Sequence, residues 1–197
     1  MALDIRVCFL GDSFTLGQGD DTGLGWAGRV HAMARGRGAD LSSYNLGIRG
    51  QTGAEIANRA EREVTERIAD RGERQGIVLS FGANDIRLEC PTEESVQAAA
   101  DVIRWADSQG YSVFLMGAPH AAEPELDALR AELNLALEQT AKGLDTPFLD
   151  IRTVLSDWTV WHAECAAGDG IHPNAKGYAQ VAEAFDVWRP WRDWVDD

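Results

Sequence analysis

Four short segments hold residue types that can do chemistry: Gly11-Asp12-Ser13-Phe14, Asn45-Leu46-Gly47, Gly82-Ala83-Asn84-Asp85 and Asp169-Gly170-Ile171-His172-Pro173. The first offers a hydroxyl. The last offers a candidate base with a carboxylate three residues before it. The middle two offer amide donors. Acyl transfer needs that set. A serine hydroxyl is a weak nucleophile at neutral pH until an imidazole takes its proton. The imidazole needs a carboxylate to fix its tautomer and stabilise its cation. The tetrahedral intermediate needs preorganised donors aimed at its oxyanion. Each segment alone has an ordinary explanation, since Gly-Asp-Ser and Asn-Asp are both good turn chemistry.

The elements around these segments suit such a site. Val7-Cys8-Phe9-Leu10 is a short apolar run of the buried-strand type, and Ile77-Val78-Leu79 repeats it. Weaker strands are predicted over 41–46, 111–116 and 148–149. Helices are predicted over 26–35, 52–70, 125–142 and 174–185, with one more opening at Pro91. In the second of these, Ile56, Ala60, Val64 and Ile68 form one stripe at i, i+4 spacing. Strand–helix alternation of this kind predicts a single α/β domain over 1–197 with a five-stranded parallel sheet. Open parallel sheets bind ligands beyond the carboxyl ends of their strands. The first three segments each follow an apolar run, so all three are placed on that edge.

Composition narrows the function classes. The chain has 197 residues, 18 basic against 32 acidic, for a formal net charge of −14. So acidic a surface argues against nucleic acid and anionic membranes as partners. No run approaches the roughly 20 apolar residues of a membrane span. The N-terminus lacks the basic start and long apolar stretch of a signal peptide, which points to the cytoplasm. Cys8, Cys90 and Cys165 are odd in number and far apart, so they imply neither a disulfide framework nor a thiolate metal site. No metal and no cofactor is expected.

Taken in order, the four segments resemble the diagnostic blocks of the SGNH hydrolase superfamily, the GDSL-type esterases and lipases. They span 11–173, with Phe14 where the name-giving leucine usually stands. The resemblance implies a flavodoxin-like three-layer α/β/α sandwich. It also implies Ser13 as nucleophile, His172 as general base and Asp169 as its orienting acid. Ser13 and Gly47 would supply backbone N–H groups to the oxyanion hole, and Asn84 its side-chain N–H.

Other residues are weaker candidates. Asp12, His120, Trp161 and His162 are expected to line a substrate pocket, with Trp158 as a further wall. Asp85 is as readily structural as functional. Trp188, Trp191 and Trp194 recur every three residues. They read as a terminal segment docked on the body, with a homo-oligomer interface as the alternative. Three motifs fail for lack of context. Gly23-Leu24-Gly25-Trp26-Ala27-Gly28 fits the dinucleotide-binding glycine pattern but starts well after the first strand. His162-Ala163-Glu164 lacks the Pro-Cys-x-x-Cys of zinc deaminases. Thr15 breaks the Gly-x-Ser-x-Gly elbow of α/β-hydrolases.

The sequence thus predicts a serine esterase cleaving short-chain, uncharged carboxylic esters through a covalent acyl-enzyme. A small-molecule ester is the expected partner. A thioesterase, lysophospholipase or acyltransferase would use the same residues. From a different class, a catalytically silent α/β binding domain would keep the pocket.

Overall fold

Alternation within the first strand sets the layering. The computed structural model describes residues 2–197, and β1 (Asp4–Gly11) sends Ile5, Val7 and Phe9 into one core and Cys8 and Leu10 into another. Successive side chains of a strand point to opposite faces, so a strand buried on both faces must be apolar throughout. Five parallel strands form the sheet in the order β2-β1-β3-β4-β5. The others are β2 (Asp40–Gly47), β3 (Arg74–Ser80), β4 (Ser112–Met116) and β5 (Phe148–Leu149). This is the flavodoxin order.

Helices cover both faces. Between β1 and β2 lie a single turn, α1 (Ser13–Leu16), and α2 (Gly25–Gly36). Then come α3 (Gly53–Ile68), a second short turn α4 (Ala83–Arg87), α5 (Thr92–Ser108) and α6 (Pro124–Gly143). The chain ends in α7 (Ile151–Val154), α8 (Thr159–Ala167), α9 (Ala175–Val187) and α10 (Arg189–Asp196). The stripe Ile56, Ala60, Val64 and Ile68 of α3 joins α5 and α6 on the Cys8 side of the sheet. Residues of α2, α8, α9 and α10 pack on the Phe9 side. Each fully buried Ile, Leu or Phe contributes about 1.5–3 kcal/mol on removal from water.

The C-terminal tryptophans dock on the body. Trp191 is fully buried, with ring centroids 5.2 Å from Phe185, 5.7 Å from Phe114 and 6.1 Å from Phe9. All three cysteines are free. Among the described residues no helix is long and apolar enough to cross a membrane.

The structure differs from the sequence reading in its small elements. α1, α4 and α7 have only four or five residues, too few to show a period. α8 occupies Thr159–Ala167, where no helix is predicted; its Trp161 and Cys165, with Trp158 just before it, enter the Phe9-side core. β2 carries Ser42, Ser43 and Asn45 because it is an edge strand with one partner, and edge strands tolerate polar residues.

Candidate active site

The register of the sheet brings three of the four segments together. Gly11 pairs with Gly47 on one side and with Ser80 on the other, so β1, β2 and β3 end level. Beyond Gly11, Asp12 caps α1 by accepting the Phe14 N–H at 2.9 Å. Ser13 thereby becomes the first residue of a helix, where N–H groups have no intrahelical partner.

The fourth segment lies between α8 and α9. It is tied to the loop after α1 in two places. The Asn174 side chain accepts from the Asp21 N–H at 3.1 Å and donates to Asp21 Oδ2 at 2.7 Å, and Tyr178 Oη donates to Gln18 O at 2.7 Å.

Within that frame His172 Nε2 lies 2.8 Å from Ser13 Oγ, and His172 Nδ1 lies 2.7 Å from Asp169 Oδ2. A carboxylate only accepts, so Nδ1 carries the proton and Nε2 is left to accept from the Ser13 hydroxyl. Asp169 Oδ1 accepts the N–H groups of Ile171 at 2.9 Å and of His172 at 2.8 Å. Partial burial pushes the Asp169 carboxyl up. The N–H groups and imidazole of His172 and the Ile171 N–H outweigh that and hold it down at about 2. The His172 ring rests on Phe14, centroids 4.9 Å apart, and Phe14 stacks in turn on Trp161 at 5.8 Å.

On the opposite wall Asn84 enters from the start of α4. Its Nδ2 donates to Gln51 O at 3.0 Å and makes only a long 3.4 Å contact to Asp12 Oδ2. One amide hydrogen is therefore weakly engaged. The cleft between these walls holds about 240 Å³ and is lined by Ser13, Gly50, Asn84 and His172 among others.

Several expectations are corrected. Gly47 does not line the cleft, and its N–H donates to Asn45 Oδ1 at 3.0 Å. Gly47 is instead a contact glycine. A Cβ there would lie 2.2 Å from Leu16 N and 2.8 Å from Asp12 O, so only glycine lets the end of β2 meet α1. The glycine facing the cleft is Gly50, at φ +80° with open space around its α-carbon. That left-handed backbone favours glycine. The sequence reading missed it, although the second glycine of Gly47-Ile48-Arg49-Gly50 was in plain view.

The expected pocket residues also fall elsewhere. Asp12 is buried beneath the cleft, and burial pushes its carboxyl up to about 7 against the Phe14 N–H and the Arg130 charge. Trp161 is core, behind Phe14. His120 packs on Trp158 at 4.7 Å and on His162 at 6.2 Å, and neither histidine lines the cleft. Asp85 is structural: it accepts from the Gly53 N–H at 3.0 Å and from Ser95 Oγ at 2.7 Å, anchoring α3 and α5 to α4.

Arg59 was not anticipated. From α3 its buried guanidinium donates to Leu46 O at 2.7 Å and Gly11 O at 3.1 Å. It thus holds the ends of the two strands that lead to Ser13 and Gly50. A helical arginine looks like surface in sequence, and nothing local marks this one.

Comparison with known proteins gives the same architecture. Axe2 from Geobacillus stearothermophilus, an acetyl-xylooligosaccharide esterase, superposes with a TM-score of 0.77 over 94% of each chain at 19% identity. A lipolytic protein of the G-D-S-L family from Veillonella parvula gives 0.72 over 93% of this chain and 97% of that one, at 21% identity. TesA gives 0.77 over 96% and 99%, at 22%. At such identities the likeness is one of fold. No curated protein sequence matches significantly. The model of the GDSL-like lipase/acylhydrolase family matches residues 9–180, which contain all four segments, and the chain belongs to that family of ester hydrolases.

Proposed function

We propose that the protein hydrolyses short-chain carboxylic esters through an acyl-enzyme on Ser13. The observation that carries this reading is the unbroken relay from Asp169 through His172 to the Ser13 hydroxyl, at 2.7 and 2.8 Å. As Ser13 Oγ attacks the ester carbonyl, its proton passes to His172 Nε2. Asp169 stabilises the imidazolium that forms. Negative charge develops on the carbonyl oxygen, where the Ser13 N–H, the Gly50 N–H and Asn84 Nδ2 are the donors at hand. Collapse expels the alcohol, protonated by His172. Water, deprotonated by His172, then attacks the acyl-enzyme and releases the acid.

The cleft volume of about 240 Å³ supports a small acyl group, since pockets for drug-sized ligands run to roughly 300–1,000 Å³. The likeness in fold to an acetyl ester hydrolase supports the same choice.

A serine-directed fluorophosphonate followed by peptide mass spectrometry tests the assignment. Ser13 is the expected site of labelling, with an initial burst of 4-nitrophenol from 4-nitrophenyl acetate. Labelling of another serine, with full activity in Ser13→Ala, overturns it. Across a series of 4-nitrophenyl esters, kcat/KM is expected to peak between acetyl and butyryl; a steady climb through octanoyl removes the short-chain assignment.

A further inference from the structure

The cleft reverses the sign of the molecule around it. The chain carries 32 acidic and 18 basic residues, yet the cleft lining holds three arginines, Arg49, Arg87 and Arg130, against the carboxylate of Asp169. That carboxylate is already committed to His172. Elsewhere buried or half-buried arginines answer carboxylates, as in Arg29–Asp20, Arg37–Asp186 and Arg152–Asp127. Among the described residues none of the three cleft arginines forms an ion pair.

The three come from different parts of the fold. Arg49 sits on the exposed turn between β2 and α3, one residue before Gly50. Arg87 ends α4 and donates to Asn84 Oδ1 at 3.3 Å. Arg130 projects from α6 and is only 6% exposed. It donates to Pro119 O and His120 O, and its buried Nε has no partner. The carboxyls of Asp12 and Asp127 favour its charge from beyond ion-pair distance, and its guanidinium lies 5.8 Å from the Phe14 ring centroid; with no carboxylate in its fork, that charge still acts on the cleft.

We infer that the ester cleaved at Ser13 carries an anionic group, a carboxylate or a phosphate, bound by Arg49 and Arg87 with the charge of Arg130 behind them. The inference rests on the esterase reading and names its substrate class. Guanidinium forks match the oxygens of both anions in bidentate fashion, and a cleft lined by one sign of charge between low-dielectric walls raises the local concentration of the opposite ion. The expectation of an uncharged substrate is thereby revised. It rested on the net charge of −14, an average over the whole surface, whereas a bound ester meets only the lining of the cleft.

Matched ester pairs that differ only in the anion provide the test. On the acyl side, the 4-nitrophenyl monoester of glutaric acid is compared with its methyl ester. On the alcohol side, 4-acetoxybenzoate is compared with methyl 4-acetoxybenzoate, and 4-acetoxyphenyl phosphate with 4-acetoxyanisole. At least one anionic ester is expected to exceed its neutral partner in kcat/KM by about tenfold, the worth of one good charge-assisted contact, chiefly through KM. The arm that responds identifies which side of the ester bears the anion. The ratio should shrink at high salt, because the rim arginines are exposed. In the double variant Arg49→Gln/Arg87→Gln it should fall toward one, and the corresponding Lys variant should recover part of it.

A ratio of one or less in every arm overturns the inference. So does a loss shared equally by anionic and neutral esters in the Gln variant, which would make the arginines servants of the reaction and not of the substrate. Turnover of 4-nitrophenyl acetate in the same assay reports separately on the esterase reading. Should no ester turn over, thermal melting of Ser13→Ala with glutaric acid monoanilide and with its methyl ester still decides. A rise in Tm with the acid alone supports the anion site, and equal behaviour of the two compounds removes it.

Discussion

The molecule contains two His–Asp pairs of nearly equal geometry. His172 Nδ1 lies 2.7 Å from Asp169, and His120 Nδ1 lies 2.9 Å from Asp127. Both carboxyls are held at about 2. The surroundings differ. Asp169 is stabilised by backbone N–H groups and the imidazole, so His172 faces no competing cation on its acid, and its Nε2 reaches a hydroxyl. Asp127 accepts two hydrogen bonds from Arg152, one from the Ala121 N–H and one from His120. Burial and the Arg152 charge lower the His120 pKa. One pair is left free to take up a proton at a nucleophile. The other closes the loop between β4 and α6 onto α7. A His–Asp contact is therefore not evidence of a site until its second nitrogen and the partners of its acid are known.

The largest expected effect separates the two histidines. His172→Ala and Ser13→Ala should each lower kcat by about 10⁴-fold or more, because residues of one relay act as a unit. His120→Ala should leave kcat/KM on 4-nitrophenyl acetate within about threefold, less than 1 kcal/mol in the barrier. Equal losses in both histidine variants would erase the distinction.

The two acids should part company in kind. Asp169→Asn is expected to cost roughly 10²–10⁴-fold in kcat, through the wrong tautomer of His172. Asp127→Asn should act on folding, since it weakens the charge-assisted bonds to Arg152. A loss of about 1–3 kcal/mol, read as a fall of several degrees in Tm with kcat little changed, is the expected result.

The oxyanion wall gives the next effect. Asn84→Ala should lower kcat by about 10²–10³-fold with KM nearly constant, as befits a contact strengthened in the transition state. A rise in KM alone would make Asn84 a ground-state binding residue. Steady-state kinetics on one ester suffices.

Asp12 supplies an effect on stability alone and a third kind of acid, one buried without an ion pair. Burial raises its folded-state pKa to about 7. The unfolded chain loses this proton near pH 4, so wild-type stability falls as pH rises from about 4 to 7 and the penalty then stays constant. Asp12→Asn retains an acceptor for the Phe14 N–H and removes the charge. Its Tm should match wild type below pH 4 and exceed it by about ten degrees at pH 8. Melting curves of the two proteins across that range check the sign.

The sequence made the main strands and helices legible for a physical reason: each is long enough to show its period. β1 and β3 are apolar because both faces are buried, and the α3 stripe repeats every turn. The four chemical segments were legible because loops beyond strand ends are short and their residue types are restricted. Arg59 and Arg130 escaped because a long side chain reaches several ångströms from its own backbone, and no local pattern states where its charge will stop. Gly47 and Gly50 were confused because both are glycines beside a strand end. One is required by contact with α1 and the other by its positive φ.

By itself, then, the sequence determined the α/β alternation, the order of the four segments and the residues Ser13, Asp169 and His172 as a set. Those properties are local or compositional. Only the tertiary structure decided that His120 pairs with Asp127 away from the cleft, that Trp161 belongs to the core, that Gly50 and not Gly47 faces the cleft, and that three arginines collect in an acidic protein's cleft. Each of these depends on which surfaces pack together across the sheet. That choice is made by burial and shape over the whole chain, and no segment carries it alone.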